Sequence, residues 1–266
     1  MASLIYCVQQ LGYVPIVERV NNHAKTIDFG LLSLKSGDVF DDSTHGNELG
    51  LLVLGGRCTV EGENYSFADI GRRENVFAGK PYAVYLPPGT SYRITTDSWV
   101  EIGLSMTPCS FEGVPKLITQ SEVRHKSFGQ LHWRRDVHYV IEPGADSHSL
   151  RIGEVMCPPG HWSFPPHRHN TVEEVYFYRV RPADGFGFQM VYDRDESRGE
   201  YYIVKNNDTV VITQGYHPVG ASPADSLYVL WIMTPKSEEI PLIAEPDPRY
   251  AWVENCNTII GENSMK

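Results

Sequence analysis

The sequence predicts an all-β protein of two successive β-sandwich or barrel domains related by duplication. Short runs rich in Val, Ile, Tyr, Phe and Leu alternate with Gly, Pro, Asn and Asp along the chain. That is the pattern of strands separated by turns. No segment carries a sustained helical apolar period. Landmarks of the first half also recur, in order, in the second.

The strands expected in the first half are Gly50–Leu54, Tyr82–Leu86 and Ser98–Met106. Those of the second are Glu174–Val180, Phe186–Tyr192, Thr209–Thr213 and Leu227–Met233. Eighteen prolines and twenty-three glycines supply the turns that so many short strands need. Glu48 opens one strand and Glu174 another, and Gly89 and Gly215 follow them at the same interval. Both halves end alike, in Ser105-Met106-Thr107-Pro108 and Ile232-Met233-Thr234-Pro235. Their openings match as well, Gly30 through Gly37 against Gly153 through Gly160. The expected division is residues 1–125, without a metal site, and 126–266, with one.

The halves differ in residues that carry chemistry. His167, His169, Glu174 and His217 stand in the second. In the first, Ser91 occupies the place of His217, nothing matches the His-x-His pair, and His45 is alone. Residues two apart on a strand share a face, so His167 and His169 can converge on one point. Glu174 follows after a short turn and shares its parity with Tyr176 and Tyr178; His217 follows a turn glycine. Three neutral imidazoles and a carboxylate suit a divalent ion of borderline hardness: zinc, manganese, iron or nickel. With four protein ligands, catalysis needs a five- or six-coordinate ion. A lone histidine is more often a surface residue than a ligand, but this constellation is not a lone histidine.

Other candidates are less specific. Gln189 lies inside an apolar strand and either points at the metal cavity or is satisfied by backbone groups. Tyr176, Tyr178, Tyr192, Tyr216 and Tyr228 belong to core or rim more often than to catalysis. His161 and Ser163 share the parity of the ligand pair if the pleat survives Pro165-Pro166. Arg134, Arg135, Arg179 and Arg181 are candidate partners for a substrate carboxylate, although each alone reads as a solvated charge.

Composition excludes several functions. A formal net charge of −10 argues against nucleic-acid backbone binding. No basic, apolar leader opens the sequence, and no run approaches the ~18 apolar residues that cross a membrane. Cys7, Cys58, Cys109, Cys157 and Cys256 are scattered and odd in number, which reads as reduced thiols of a cytoplasmic protein.

The ligand set resembles the cupin metal site, which makes the expected fold a bicupin. A narrower resemblance is to the 5-deoxy-glucuronate isomerase family of myo-inositol catabolism. It rests on Gly71-Arg72-Arg73, Tyr85-Leu86-Pro87-Pro88-Gly89-Thr90, Gly153-Glu154-Val155 and Pro165-Pro166-His167-Arg168-His169. Gly185-Phe186-Gly187-Phe188-Gln189, Gly215-Tyr216-His217-Pro218-Val219-Gly220 and Asp247-Pro248 continue it. The resemblance implies a metal-dependent aldose–ketose isomerase acting on a small sugar acid, with zinc first among the metals. It carries the metal role onto His167, His169, Glu174 and His217. Glu174 is also the catalytic candidate, and Gln189, Tyr176 and Tyr216 are substrate candidates. The short link from His169 to Glu174 is similar to the related 5-keto-4-deoxyuronate isomerase of pectin degradation, so that substrate stays open. A cupin dioxygenase and a non-enzymatic sugar-binding cupin are the readings from other classes. A homo-oligomer is compatible with each.

Overall fold

The computed structural model describes residues 2–21, 23–193, 199–236 and 244–253. The chain is nearly all β, as the alternation of apolar runs and turn residues predicts, and every expected strand is present. Two large antiparallel sheets dominate. The first contains, in spatial order, Lys116–Ile118, Ala83–Leu86, Asn47–Gly56, Trp99–Pro108, Asp28–Lys35 and Gly12–Val17. The second contains Ala2–Ile5, Thr209–Ile212, Val172–Arg181, Ser226–Pro235, Arg151–Cys157, Arg135–Ile141 and Arg124–Phe128. Smaller sheets face each of them. One is Val39–Ser43, Ser91–Thr95, Cys58–Gly62 and Tyr65–Ile70; another is Glu200–Val204, Gly187–Val191 and Val219–Ala221.

The sheet orders repeat, apart from the added edge strand Arg124–Phe128. The edge place held by Lys116–Ile118 in the first sheet is taken in the second by Ala2–Ile5, which pairs with Thr209–Ile212. The N-terminal strand therefore completes the sheet of the second half. The chain passes between the large sheets at residues 119–123, so the expected division at 125/126 falls inside the strand Arg124–Phe128.

Burial explains why the large sheets read as nearly continuous apolar runs. Leu49, Leu51 and Val53 point into a core inside the first half, with Val60, Ile94 and Ile102. Leu52 and Leu54, of opposite parity, point into a core shared by both halves, with Phe29, Ile152, Val175, Phe177 and Leu230. The second half has its own interior around Val155, Tyr178, Val191 and Val229. The halves approach so closely that a Cβ on Gly50 would lie 2.3 Å from Ile152 Cδ1.

The register corrects one detail of the repeat. Glu48 lies opposite Thr107, and Glu173 opposite Thr234. Glu48 thus corresponds to Glu173, and the counterpart of Glu174 is Leu49. The link to the turn glycine is one residue longer in the second half, which masked this in the spacing. Cys7, Cys58, Cys109 and Cys157 form no disulfide; Cys256 lies outside the described residues. Among the described residues, no helix is long and apolar enough to cross a membrane.

Candidate metal centre and its cavity

Three elements build the site. The short strand His167–Arg168 supplies His167, with His169 just beyond it; Val172–Arg181 supplies Glu174; the turn after Gly215 supplies His217. The backbone fixes their approach, because His217 N donates to His167 O at 3.1 Å. One ligand nitrogen from each of His167, His169 and His217 lies within 4.8 Å of the others. An ion bonded at about 2.0–2.2 Å to each donor spans at most about 4.4 Å between two of them, so nitrogens at the outer limit of this cluster would have to draw together to share one ion. Glu174 Oε2 stands 3.1 Å from His217 Nε2 and 3.9 Å from His169 Nε2.

The protonation pattern suits a cation. His167 Nδ1 lies 2.9 Å from Pro165 O, and His217 Nδ1 lies 2.9 Å from Gly215 O. A carbonyl only accepts, so each Nδ1 carries the proton and each Nε2 keeps its lone pair. Burial pushes the His217 imidazole down to about 4. Burial and the neighbouring His217 and His169 push His167 down to about 3. Both rings are therefore neutral near pH 7. Burial pushes the Glu174 carboxyl up, against the opposing pull of His169 and His167. His217 Nε2 and Glu174 Oε2 face one another, buried and without a hydrogen bond between them. Two lone pairs at that distance repel unless a cation lies between them, so the donor set fits a divalent ion.

A cavity of about 340 Å³ opens beside the cluster, within the size range of small-molecule sites. His167, His169, Glu174 and Tyr176 line it, as do Ser163 and Trp231. Gln189 lies elsewhere. It is fully buried, accepts from the Tyr178 hydroxyl at 2.6 Å and donates to Met190 O and Pro218 O. Tyr216 is also off the cavity wall; its ring lies against Tyr192 and the Arg168 guanidinium. None of Arg134, Arg135, Arg179 and Arg181 lines the cavity. Arg179 pairs with Glu101 at 2.7 Å, and Arg181 covers the Phe77 ring.

Arg151 does line it, and sequence reasoning did not single it out. The one signal was its parity with Gly153 and Val155. Trp231 was passed over too, as one apolar residue in an apolar strand. It packs over Gly153, where a Cβ would lie 2.0 Å from Trp231 Cζ2. That contact accounts for a glycine in mid-strand.

A model of the KduI/IolB family matches residues 8–253. The chain belongs to the KduI/IolB family. It is 34% identical over 221 residues to a 5-deoxy-glucuronate isomerase of Shouchella clausii, a match covering 79% of this chain and 81% of that one. It is 31% identical over 245 residues to a 5-deoxy-glucuronate isomerase of Bacillus subtilis, covering 88% and 89%. Within the same fold, the crystal structure of an IolB-like protein from Salmonella typhimurium superposes with a TM-score of 0.88 at 28% identity, over 94% of this chain and 98% of that one. An oxalate decarboxylase of Lactobacillus farciminis shares the fold alone, with a TM-score of 0.62 and 12% identity over 90% and 85% of the chains. The architecture of this KduI/IolB chain is that of a bicupin.

Proposed function

We propose that this chain isomerises a sugar acid between aldose and ketose forms, taking 5-deoxy-glucuronate to 5-dehydro-2-deoxy-gluconate. The observation that carries the reading is the cluster of three histidines with Glu174 beside a small-molecule cavity, which His167, His169 and Glu174 line, in a chain similar over most of its length to 5-deoxy-glucuronate isomerases. His167, His169, Glu174 and His217 would hold the ion, zinc first, with manganese, iron or nickel as alternatives. Such an ion, when bound, supplies Lewis-acid polarisation of substrate oxygens.

The remaining chemistry falls to side chains. Hydrogen must move from C2 to C1, either as a proton carried by a base within hydrogen-bond reach of C2 or as a direct hydride shift, which needs no such base. Glu174 stands at the cavity wall and is the candidate base; burial pushes its carboxyl up, and coordination to the ion would pull it down again. Tyr176 lines the same wall, and burial holds its phenol well above the usual range, so it stays a donor. The apolar surroundings of Val155, Val219 and Val229 limit the water that competes for these groups.

We further assign the two halves expected at residues 1–125 and 126–266 to two cupin units, with the boundary drawn at residues 119–123 so that Arg124–Phe128 stays whole, and the first lending its N-terminal strand to the second. The reading also makes the protein a cytoplasmic enzyme, compatible with a homo-oligomer. A second substrate, the pectin-derived 5-keto-4-deoxyuronate, is favoured by the short His169–Glu174 link, where strand begins already at Val172. NMR-monitored turnover of both uronates decides between them: kcat/KM is expected to be higher for 5-deoxy-glucuronate, and the reverse ranking overturns the assignment. Turnover that requires oxygen would instead indicate a dioxygenase. Failure to turn over either acid would indicate a binding protein.

A further inference from the structure

We propose that Arg151 binds the carboxylate of the substrate and thereby selects sugar acids over neutral sugars, a role that rests on the sugar-acid isomerase reading above. The register places it. Arg151 lies opposite Met233, and Met233 lies opposite Glu174, so the three form one row on the cavity face of the large sheet. The next row is Gly153, Trp231 and Tyr176. Residues directly opposite in antiparallel strands share a face, and each strand adds about 4.7–4.9 Å. Arg151 thus stands two strands from Glu174. A six-carbon acid with C1 and C2 beside the histidine cluster would cross Met233 and present its far end to this side chain.

Arg151 is partly exposed and makes no hydrogen bond or ion pair to any described residue. Nearby cations are engaged. Arg168 pairs with Glu245 at 3.0 Å, Lys236 Nζ donates to Thr213 O at 2.6 Å, and Arg135 donates to Trp133 O while covering the Phe164 ring. A guanidinium presents a planar fork matched to a carboxylate.

Trp231 adds a second, independent observation. It lines the cavity at 6% exposure, and its Nε1–H has no acceptor among the described residues. A buried indole N–H ordinarily finds one. A polar ligand in the row beside Arg151 would supply it. In the first half, the residue opposite Met106 in the register of Arg151 is Asp28, already paired with Arg19. The free cation therefore stands in the half that also holds the histidine cluster.

The test compares 5-deoxy-glucuronate with 5-deoxy-glucose, in which a hydroxymethyl group replaces the carboxylate, on wild type, Arg151→Lys and Arg151→Met. Wild type should prefer the acid. Arg151→Met should lose at least about 30-fold in kcat/KM on the acid, mainly through KM, with the neutral sugar nearly unchanged. Arg151→Lys should fall between them, and metal content should stay at the wild-type level in both variants. Trp231→Phe should show a smaller loss on the acid than Arg151→Met. An acid-to-neutral ratio in Arg151→Met equal to that of wild type overturns the assignment. So does an equal loss on both sugars. Wild type that turns over neither compound overturns the 5-deoxy-glucuronate reading on which the role rests, a result distinct from an unchanged ratio in an active enzyme.

Discussion

His217 commits its Nδ1 proton to the Gly215 carbonyl, and His167 does the same toward Pro165. This second bond of each ring aims a lone pair into the site. Removing one imidazole should therefore release the ion without unfolding the chain. His169→Ala is expected to lower bound metal from about one ion per chain to a small fraction, measured by elemental analysis, with an unchanged circular-dichroism spectrum. Glu174→Gln tests a different property of the cluster. It keeps the side chain's shape and one ligand oxygen but removes the basic carboxylate. If Glu174 is the base, turnover should fall roughly 10²–10⁴-fold while metal is retained. Solvent deuterium incorporated at C1 by wild type in D2O should disappear with it. Near-native turnover by Glu174→Gln would move the base elsewhere on the cavity wall.

At the level of elements, the two halves hold one another by a reciprocal pair of carboxylates. Glu48, at the head of one central strand, accepts from His148 N, Ser149 N, Ser149 Oγ and Leu150 N of the other half at 2.7–2.9 Å. Glu173, its counterpart, accepts from Lys25 N, Thr26 N and Thr26 Oγ1, each at 2.7 Å. Each carboxylate thus closes the loop that leads into a strand of the opposite sheet. Bonds to a buried charged acceptor contribute about 1.5–3 kcal/mol each at most, and they share one group here. Glu48→Gln places an amide N–H against a backbone donor and should cost about 1.5–3 kcal/mol in urea unfolding while leaving metal content intact. The same positions explain the asymmetry of the sites: with Leu49 and Ser91 where the second half has Glu174 and His217, a metal content near two per chain would contradict the reading.

Across the whole molecule, a buried ion network joins the halves. Arg73 of the first half reaches Glu154 of the second at 2.5 and 3.1 Å, and Tyr228 and His138 complete the shell at 2.7 and 3.1 Å. Both charged side chains are essentially inaccessible to water, at 1% and 0% exposure. Burial pushes the Glu154 carboxyl up, but Arg73, His138 and Tyr228 together hold it below its ordinary value of 4.5. A lowered carboxyl contributes stability that is present above the unfolded value and is lost as pH falls through the folded one. Wild type should therefore lose stability as pH drops below about 4.5, and part of that slope should be missing in Glu154→Gln. At pH 7 the variant should already be less stable by about 3–5 kcal/mol, because Arg73 remains buried without its counter-charge. Chemical denaturation at a series of pH values reads both effects, and equal acid slopes would overturn the assignment of Glu154 to that transition.

The sequence by itself determined the all-β class, the strands and the repeat, because period-two alternation and turn residues are local properties that survive without tertiary information. It also singled out His167, His169, Glu174 and His217, since the pattern offered no other arrangement of three imidazoles and an acid at repeat-related turns. It could not distinguish Glu48 aligned with Glu173 from Glu48 aligned with Glu174, because a one-residue difference in a loop leaves no periodic trace; only the register with Thr107 and Thr234 decides it. It did not reveal that Ala2–Ile5 completes the distant sheet, since strand exchange leaves local alternation unchanged. The placement of Gln189 and Arg151 was equally hidden. A polar residue in an apolar strand is satisfied by whatever its neighbours offer, and for Gln189 these are Tyr178 and two carbonyls. Parity put Arg151 on one of two faces, and only the packing of the large sheets against each other left the cavity on that face.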